Sequence, residues 1–227
     1  MVAFFFIYKG EKMKKIISLF VIGLMSTSLF ANEGNEKYVA ISKGVKSIDM
    51  NLNGEEFTLI RNQKAGNIIS DLYNTTNRGK PQPMIISEGI ETLGELEFIE
   101  YMKKAQTDDS IAIIDSRKPG WFARLRIPGA INVPFTNFNE KDTAIEMMED
   151  EMGVIVKDNG DLDFSKAKTL ALYCNGYWCG QTPGMVKNAK YALLKMGYPT
   201  EKIKYYRGGM QAWVSFGLTV VGDAAEK

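Results

Sequence analysis

The chain has 227 residues, of which 45% are hydrophobic and 24% charged, the balance of an ordinary globular protein. Its formal net charge of +1 gives no general pull toward nucleic acid or an anionic membrane surface. There is no histidine, which excludes Ser-His and Cys-His hydrolases, HExxH zinc sites and His-ligated haem; two cysteines cannot build a four-thiolate site within one chain, so neither a metal nor a cofactor is expected.

The first segment reads as an address. Lys14 and Lys15 precede the apolar run Ile16–Met25, and small residues lead to Ala31. A charged region, a short apolar region and a cleavage site after Ala31 make residues 1–31 a signal peptide, with Met13 a better start than Met1. The run falls short of the about 20 apolar residues of a membrane helix. A periplasmic protein with no stable membrane span after cleavage is therefore expected. Removing these residues, with four lysines and one glutamate, leaves 24 basic and 26 acidic side chains.

Residues 32–89 form an N-terminal extension. Val45–Leu52 and Glu56–Ile60 alternate apolar and polar residues around Asn53-Gly54, which predicts a β-hairpin with a two-residue turn. A short helix is expected over Ala65–Tyr73, then a breaker-rich loop over Asn74–Pro83. From Ile90 to Gly222 helices and strands alternate. Thr92 and Glu95 form a capping box that opens a helix with apolar positions at Leu96, Phe98, Ile99 and Met102. Ile111–Ile114 and Ile131–Val133 read as short strands, and Thr143–Met152 as a polar helix whose acidic run Glu146–Glu151 is a solvated face. Thr169–Tyr173 is an apolar strand running into Cys174; Gly184–Met196 is expected as a helix with a stripe at Met185, Ala189, Ala192, Leu193 and Met196. Ile203–Tyr206 is a further strand, followed by Gly208-Gly209 and a helix through Ala212 and Trp213, the latter expected in the core. Short buried strands alternating with helices predict an α/β fold with a central parallel sheet covered by helices on both faces.

The position of Cys174 carries the chemistry. It ends a buried strand, where open parallel sheets bind ligands, and its loop Asn175, Gly176, Tyr177, Trp178, Cys179, Gly180, Gln181, Thr182 leads to the next helix. Unpaired N–H groups at that helix start favour an anion, so the thiol is expected to titrate below its free value.

Ile111–Arg117, Ile127–Phe135, Tyr173-Cys174 and Tyr206–Trp213 through Val220 together resemble a rhodanese domain, over about residues 90–222. The resemblance implies a rhodanese-like α/β fold and sulfur transfer through a Cys174 persulfide, with a small sulfur-containing donor and a thiol acceptor. Two departures matter. The family's loop carries an Arg five positions after the Cys, where this chain has Cys179, and its Gly-His before Ile-Pro-Gly is Leu125-Arg126 here. The loop is similar to the Cys-x-Gly-Pro-x-Cys variants, with Tyr177 in the Pro position. An Arg six positions after the Cys would mark the related phosphatases; that position is Gly180.

Several roles stay open on the sequence. Cys179 resolves a Cys174 persulfide or sulfenic acid, belongs to a permanent disulfide, or stays unpaired. Asp115 and Arg117 read as a structural pair rather than catalysts. Arg117, Arg126 and Arg207 are the candidates to replace the missing loop Arg, and Trp178 is a candidate pocket wall. The expected activity is an exported sulfurtransferase; the alternatives are a thiol–disulfide redox protein using both cysteines, and a non-catalytic sulfur carrier or docking module for an exported protein partner.

Overall fold

The computed structural model describes residues 39–62, 66–74 and 79–225; the expected signal peptide lies outside them. The predicted hairpin is present as β1 (Ser47–Leu52) antiparallel to β2 (Glu55–Ile60). Asn53 and Gly54 both take positive φ, 51° and 76°, as a two-residue turn matching the strand twist demands.

The described part of the expected helix at 65–73 is not helical. Residues 66–73 run through turns, with the Tyr73 N–H bonded to the Ser70 carbonyl at 2.7 Å. Tertiary contacts override local propensity here, because Tyr73 is drawn into the interior. The capping box is also absent. Thr92 lies in β3 (Glu91–Leu93), its hydroxyl donating to the Met84 carbonyl. The helix α1 (Glu95–Ala105) starts after Gly94 without a side-chain cap. Phe98, Ile99 and Met102 are buried as expected, whereas Leu96 is exposed.

Next come β4 (Ile111–Asp115), α2 (Pro119–Arg124), β5 (Ile131–Asn132), a 3₁₀ segment at Phe135–Asn139 and α3 (Lys141–Asp150). A small antiparallel pair, β6 (Ile155–Val156) and β7 (Leu162–Asp163), precedes β8 (Thr169–Tyr173). The single turn α4 (Gln181–Pro183) runs into a π turn at Gly184–Asn188; β9 (Ile203–Tyr206) and α5 (Gly209–Ser215) follow.

Residues 184–196 therefore do not form the expected helix. Ala189 turns to an extended ψ of 161°, and Leu193 N–H bonds the Met185 carbonyl eight residues back. The stripe still packs inward, with Met185, Ala189, Ala192 and Leu193 buried. Burial pattern survived where backbone class did not, because periodicity reports facing and not hydrogen bonding.

The main sheet is parallel, in the order β3-β9-β8-β4-β5. Alternate strand residues face two cores. Ile113, Ala171, Tyr173 and Tyr206 meet Phe98 of α1 and Trp213 of α5. Ile114, Leu170, Leu172 and Tyr205 meet Met148 of α3 and Met185. Phe98 stacks on Tyr206 at 4.7 Å and meets Tyr173 and Trp213 edge-on. Met50, Leu52 and Leu59 of the hairpin join that same core. No described helix is long and apolar enough to cross a membrane.

Candidate functional site

The sheet order creates the site. From β4 the chain proceeds to β5 on one side; from β8 it proceeds to β9 on the other. The loops leaving the adjacent strands β4 and β8 thus diverge, which opens a crevice at their carboxyl ends. The register pairs Asp115 with Tyr173. Asp115-Ser116-Arg117 therefore lies alongside Tyr173-Cys174-Asn175.

Three elements hold the Cys174 loop. Ser116 of the β4 exit bonds the Tyr173 carbonyl through both its N–H and its hydroxyl, and that hydroxyl also contacts the Thr182 hydroxyl at 2.8 Å. The start of α5 supplies N–H groups to the loop carbonyls, Met210 to Cys174 and Gln211 to Asn175, both at 2.9 Å. Gly209 has to be glycine there: at φ +54° an added Cβ would lie 2.4 Å from the Cys174 carbonyl oxygen. Trp178 is pinned to α5, its indole N–H donating to Gln211 Oε1 at 2.6 Å.

Cys174 and Cys179 are both free thiols and both buried. The Cys179 N–H closes a turn onto the Gly176 carbonyl at 2.8 Å, and Cys174 Sγ lies 3.5 Å from the Cys179 carbonyl oxygen. Burial pushes the Cys174 thiol up, but hydrogen bonds from the Cys179 thiol, the Thr182 hydroxyl and N–H and the Gly176 N–H outweigh it, and the thiol is drawn down to about 7. Cys179 is pushed the opposite way, because its proton is held by Cys174 and burial adds to that. The direction matches the sequence expectation, while the source differs. The segment after the loop is one α turn and a π turn instead of a long helix, so local donors hold the charge rather than an extended dipole.

Asp115 and Arg117 form a fully buried ion pair, with Arg117 Nη2 2.6 Å from Asp115 Oδ2 and Nε bonded to both carboxylate oxygens. Burial works against the guanidinium's charge, but the Asp115 bonds raise its pKa above the ordinary arginine value. Its remaining donors go to the Leu125 carbonyl at 2.6 Å, the Tyr73 hydroxyl at 2.7 Å and Asn175 Oδ1 at 3.4 Å. Tyr73 in turn donates to Asn175 Oδ1 at 2.8 Å, and Asn175 Nδ2 faces Cys179 Sγ at 3.9 Å. A continuous polar path thus runs Asp115, Arg117, Tyr73, Asn175, Cys179.

The three candidate arginines are engaged elsewhere. Arg117 is consumed by this network. Arg126 pairs with Glu55 of the hairpin at 2.9 Å. Arg207 donates twice to the Gln82 carbonyl and lies over the Tyr177 ring. Gln82 itself crosses the loop: its N–H bonds the Tyr177 carbonyl at 2.7 Å, and its side-chain amide the Trp178 carbonyl at 3.4 Å. Sequence reasoning missed Tyr73 and Gln82. The only available signal was a tyrosine and a proline-flanked glutamine in an otherwise polar stretch, which does not name a partner about a hundred residues away. Gly180 is exposed and Gln181 half-buried.

A parallel α/β domain with a thiol cradled at the carboxyl end of its central strand is the class these observations define. The rhodanese-like domain model matches residues 98–216, more than half of the 227 residues, and the chain belongs to that family, whose members are associated with sulfur transfer. No curated relative matches the sequence. Among solved structures, the chain is similar to the BH2092 protein of Bacillus halodurans, at 19% identity over 57% of this chain and 74% of that one with a TM-score of 0.39. It is also similar to the rhodanese-like domain of Alr3790 from Anabaena, at 16% identity over 62% and 84% with a TM-score of 0.40. A thiosulfate sulfurtransferase of Pseudomonas aeruginosa aligns at 17% identity over 59% of this chain and 20% of that one, with a TM-score of 0.38.

Proposed function

We propose that this protein is an exported sulfurtransferase that takes sulfane sulfur onto Cys174 as a persulfide and passes it to a thiol acceptor, in the periplasm. One observation carries the reading: Cys174 sits at the carboxyl end of the central strand in a loop fixed by Ser116 and the start of α5, where donors from its own loop draw its thiol down. A thiolate there attacks the outer sulfur of a donor, and the Gly176 and Thr182 donors hold the charge that returns when the sulfur leaves. The Lys14-Lys15 and Ile16–Met25 pattern supports export.

The donor is expected to be a persulfide rather than thiosulfate. Cys179 stands where the family has a guanidinium, and Arg117, Arg126 and Arg207 are each engaged by other partners. A missing charge-assisted bond costs about 1.5–3 kcal/mol, roughly ten- to a hundredfold in use of a dianion. Wild type, Cys174→Ser and Cys179→Arg are compared with thiosulfate and with glutathione persulfide after reduction. Cys174→Ser abolishes transfer from both donors, wild type prefers the persulfide, and Cys179→Arg gains thiosulfate activity. Wild-type transfer by Cys174→Ser overturns the assignment; sulfur uptake with no transfer to any thiol makes the protein a carrier. N-terminal sequencing of the protein from its own host tests export, with a start near Asn32 expected and recovery of residues 1–31 in soluble cytoplasmic protein the refuting result.

A further inference from the structure

We infer that Cys179 is the internal acceptor of the Cys174 persulfide, so that the loaded protein releases hydrogen sulfide and closes a Cys174–Cys179 disulfide without a second substrate. This inference rests on the persulfide reading above and gives the loop a reductive activity that simple sulfur transfer lacks.

The juxtaposition comes first. The loop Cys174–Cys179 is folded back on itself by the Cys179 N–H to Gly176 carbonyl bond. That turn brings Cys179 against Cys174, whose Sγ lies 3.5 Å from the Cys179 carbonyl oxygen in the same buried loop. Both are enclosed, Cys174 at 1% exposure and Cys179 at 3%. An external thiol has to reach a sulfur enclosed in a loop that is bonded to Gln82 and, through Trp178, to Gln211. Cys179 already lies in that loop, and a group held beside its target acts at an effective concentration far above that of a free thiol.

The chemistry balances in two steps. In loading, the Cys174 thiolate attacks the outer sulfur of a donor persulfide; the donor's S–S bond breaks and the donor leaves as a thiol. In release, a lone pair of Cys179 Sγ attacks Cys174 Sγ. The new Sγ–Sγ bond forms as the bond from Cys174 Sγ to the sulfane sulfur breaks. The sulfane leaves with that electron pair and takes the Cys179 proton. The sulfane sulfur is reduced to hydrogen sulfide and the two cysteine thiols are oxidised to the disulfide. A further turnover needs an external dithiol, which reduces the disulfide by ordinary exchange. The Cys179 proton, held in the resting state by Cys174, has its new acceptor in the departing sulfur. Asn175, fixed by Tyr73 and Arg117, keeps Cys179 in this position.

The test uses the full chain, reduced, freed of reductant and kept anaerobic, then given one equivalent of glutathione persulfide. Intact mass and released sulfide are followed together. Wild type is expected to lose two hydrogens and release one sulfide per chain. Cys179→Ser is expected to gain one sulfur and hold it at least tenfold longer; Cys179→Ala repeats the comparison without burying a hydroxyl. If wild type keeps the added sulfur as long as both variants do, Cys179 is not the acceptor and the inference fails while the persulfide reading stands. If no form gains sulfur or releases sulfide, the persulfide reading fails and takes the inference with it.

Discussion

Replacing Tyr73 by Phe tests whether the extension is a working part of the Cys174 site. The ring stays, so packing against Trp121 at 6.3 Å is kept and only the hydroxyl is lost. That hydroxyl accepts from Arg117 Nη1 at 2.7 Å and donates to Asn175 Oδ1 at 2.8 Å. Burial pushes the phenol well above its ordinary range, so it stays a donor at every physiological pH. A bond to a charged group contributes about 1.5–3 kcal/mol and a neutral one about 0.5–1.5 kcal/mol. Their sum overstates the loss because the bonds share a network, which leaves about 2–4 kcal/mol. At about 2–4 °C per kcal/mol for a chain of this size, the melting temperature falls by about 5–15 °C. Freed of Tyr73, Asn175 no longer fixes Cys179, and Cys174 alkylation quickens. Thermal unfolding followed by circular dichroism, with iodoacetamide kinetics on the same samples, reads both effects. A melting point within a degree of wild type with unchanged kinetics would show that the path through Tyr73 has no energetic content.

The Cys174 thiolate forms with a midpoint of about 7, read by thiolate absorbance against pH, and both Cys179→Ala and Thr182→Val raise that midpoint by removing donors. Because this folded value lies below the ordinary thiol value of 9.0, the contribution of Cys174 to stability grows from pH 7 to pH 9 and is lost as pH falls through about 7, measurable by denaturant titration. Asp115→Asn leaves Arg117 charged and unpaired in the interior and destabilises by about 3–5 kcal/mol in urea unfolding, whereas Asp115→Leu combined with Arg117→Met recovers most of that loss. Gly209→Ala meets backbone at 2.4 Å and adds left-handed strain of about 1–3 kcal/mol; soluble yield and sulfur loading both fall, and normal loading would show that the α5 start does not shape the loop.

What could be read from the sequence was what is encoded locally. The hairpin turn is fixed by Asn53-Gly54, whose positive φ values no β-branched pair would take. The strand ending at Tyr173 and the thiol that follows it can be read from an apolar run and a cysteine. The placement of Thr92 failed because a three-residue edge strand is too short to show a period, and its pairing with Tyr205 lies more than a hundred positions away. Residues 184–196 failed differently: the inward face was right, but Gly184 and the extended Ala189 carry a π turn that no stripe reports. The arginines were candidates by type, and only the fold shows each of them taken by another partner. Against the three sequence readings of Cys179, the structure holds both cysteines as free thiols, with Cys174 Sγ 3.5 Å from the Cys179 carbonyl oxygen.

The extension touches the rhodanese-like domain at separate points, and each reaches a different wall of the Cys174 site. Glu55 accepts from Arg126 and from the Gly129 N–H at 2.6 Å, while Asn53 donates to the Gly129 carbonyl at 2.6 Å. This ties the hairpin to the chain entering β5, beside the β4 exit. Tyr73 enters between Arg117 and Asn175, and Gln82 lies across Tyr177 and Trp178. The loop is thus backed by Ser116 and α5 and covered by residues that precede the matched family region. An accessible cradle with a guanidinium suits a small anionic donor that diffuses in and out. A buried pair of thiols without that charge suits the proposed handover from Cys174 to Cys179, and that proposal is tested both at Cys179, which stands in the arginine position, and at Tyr73 and Gln82, which hold the loop.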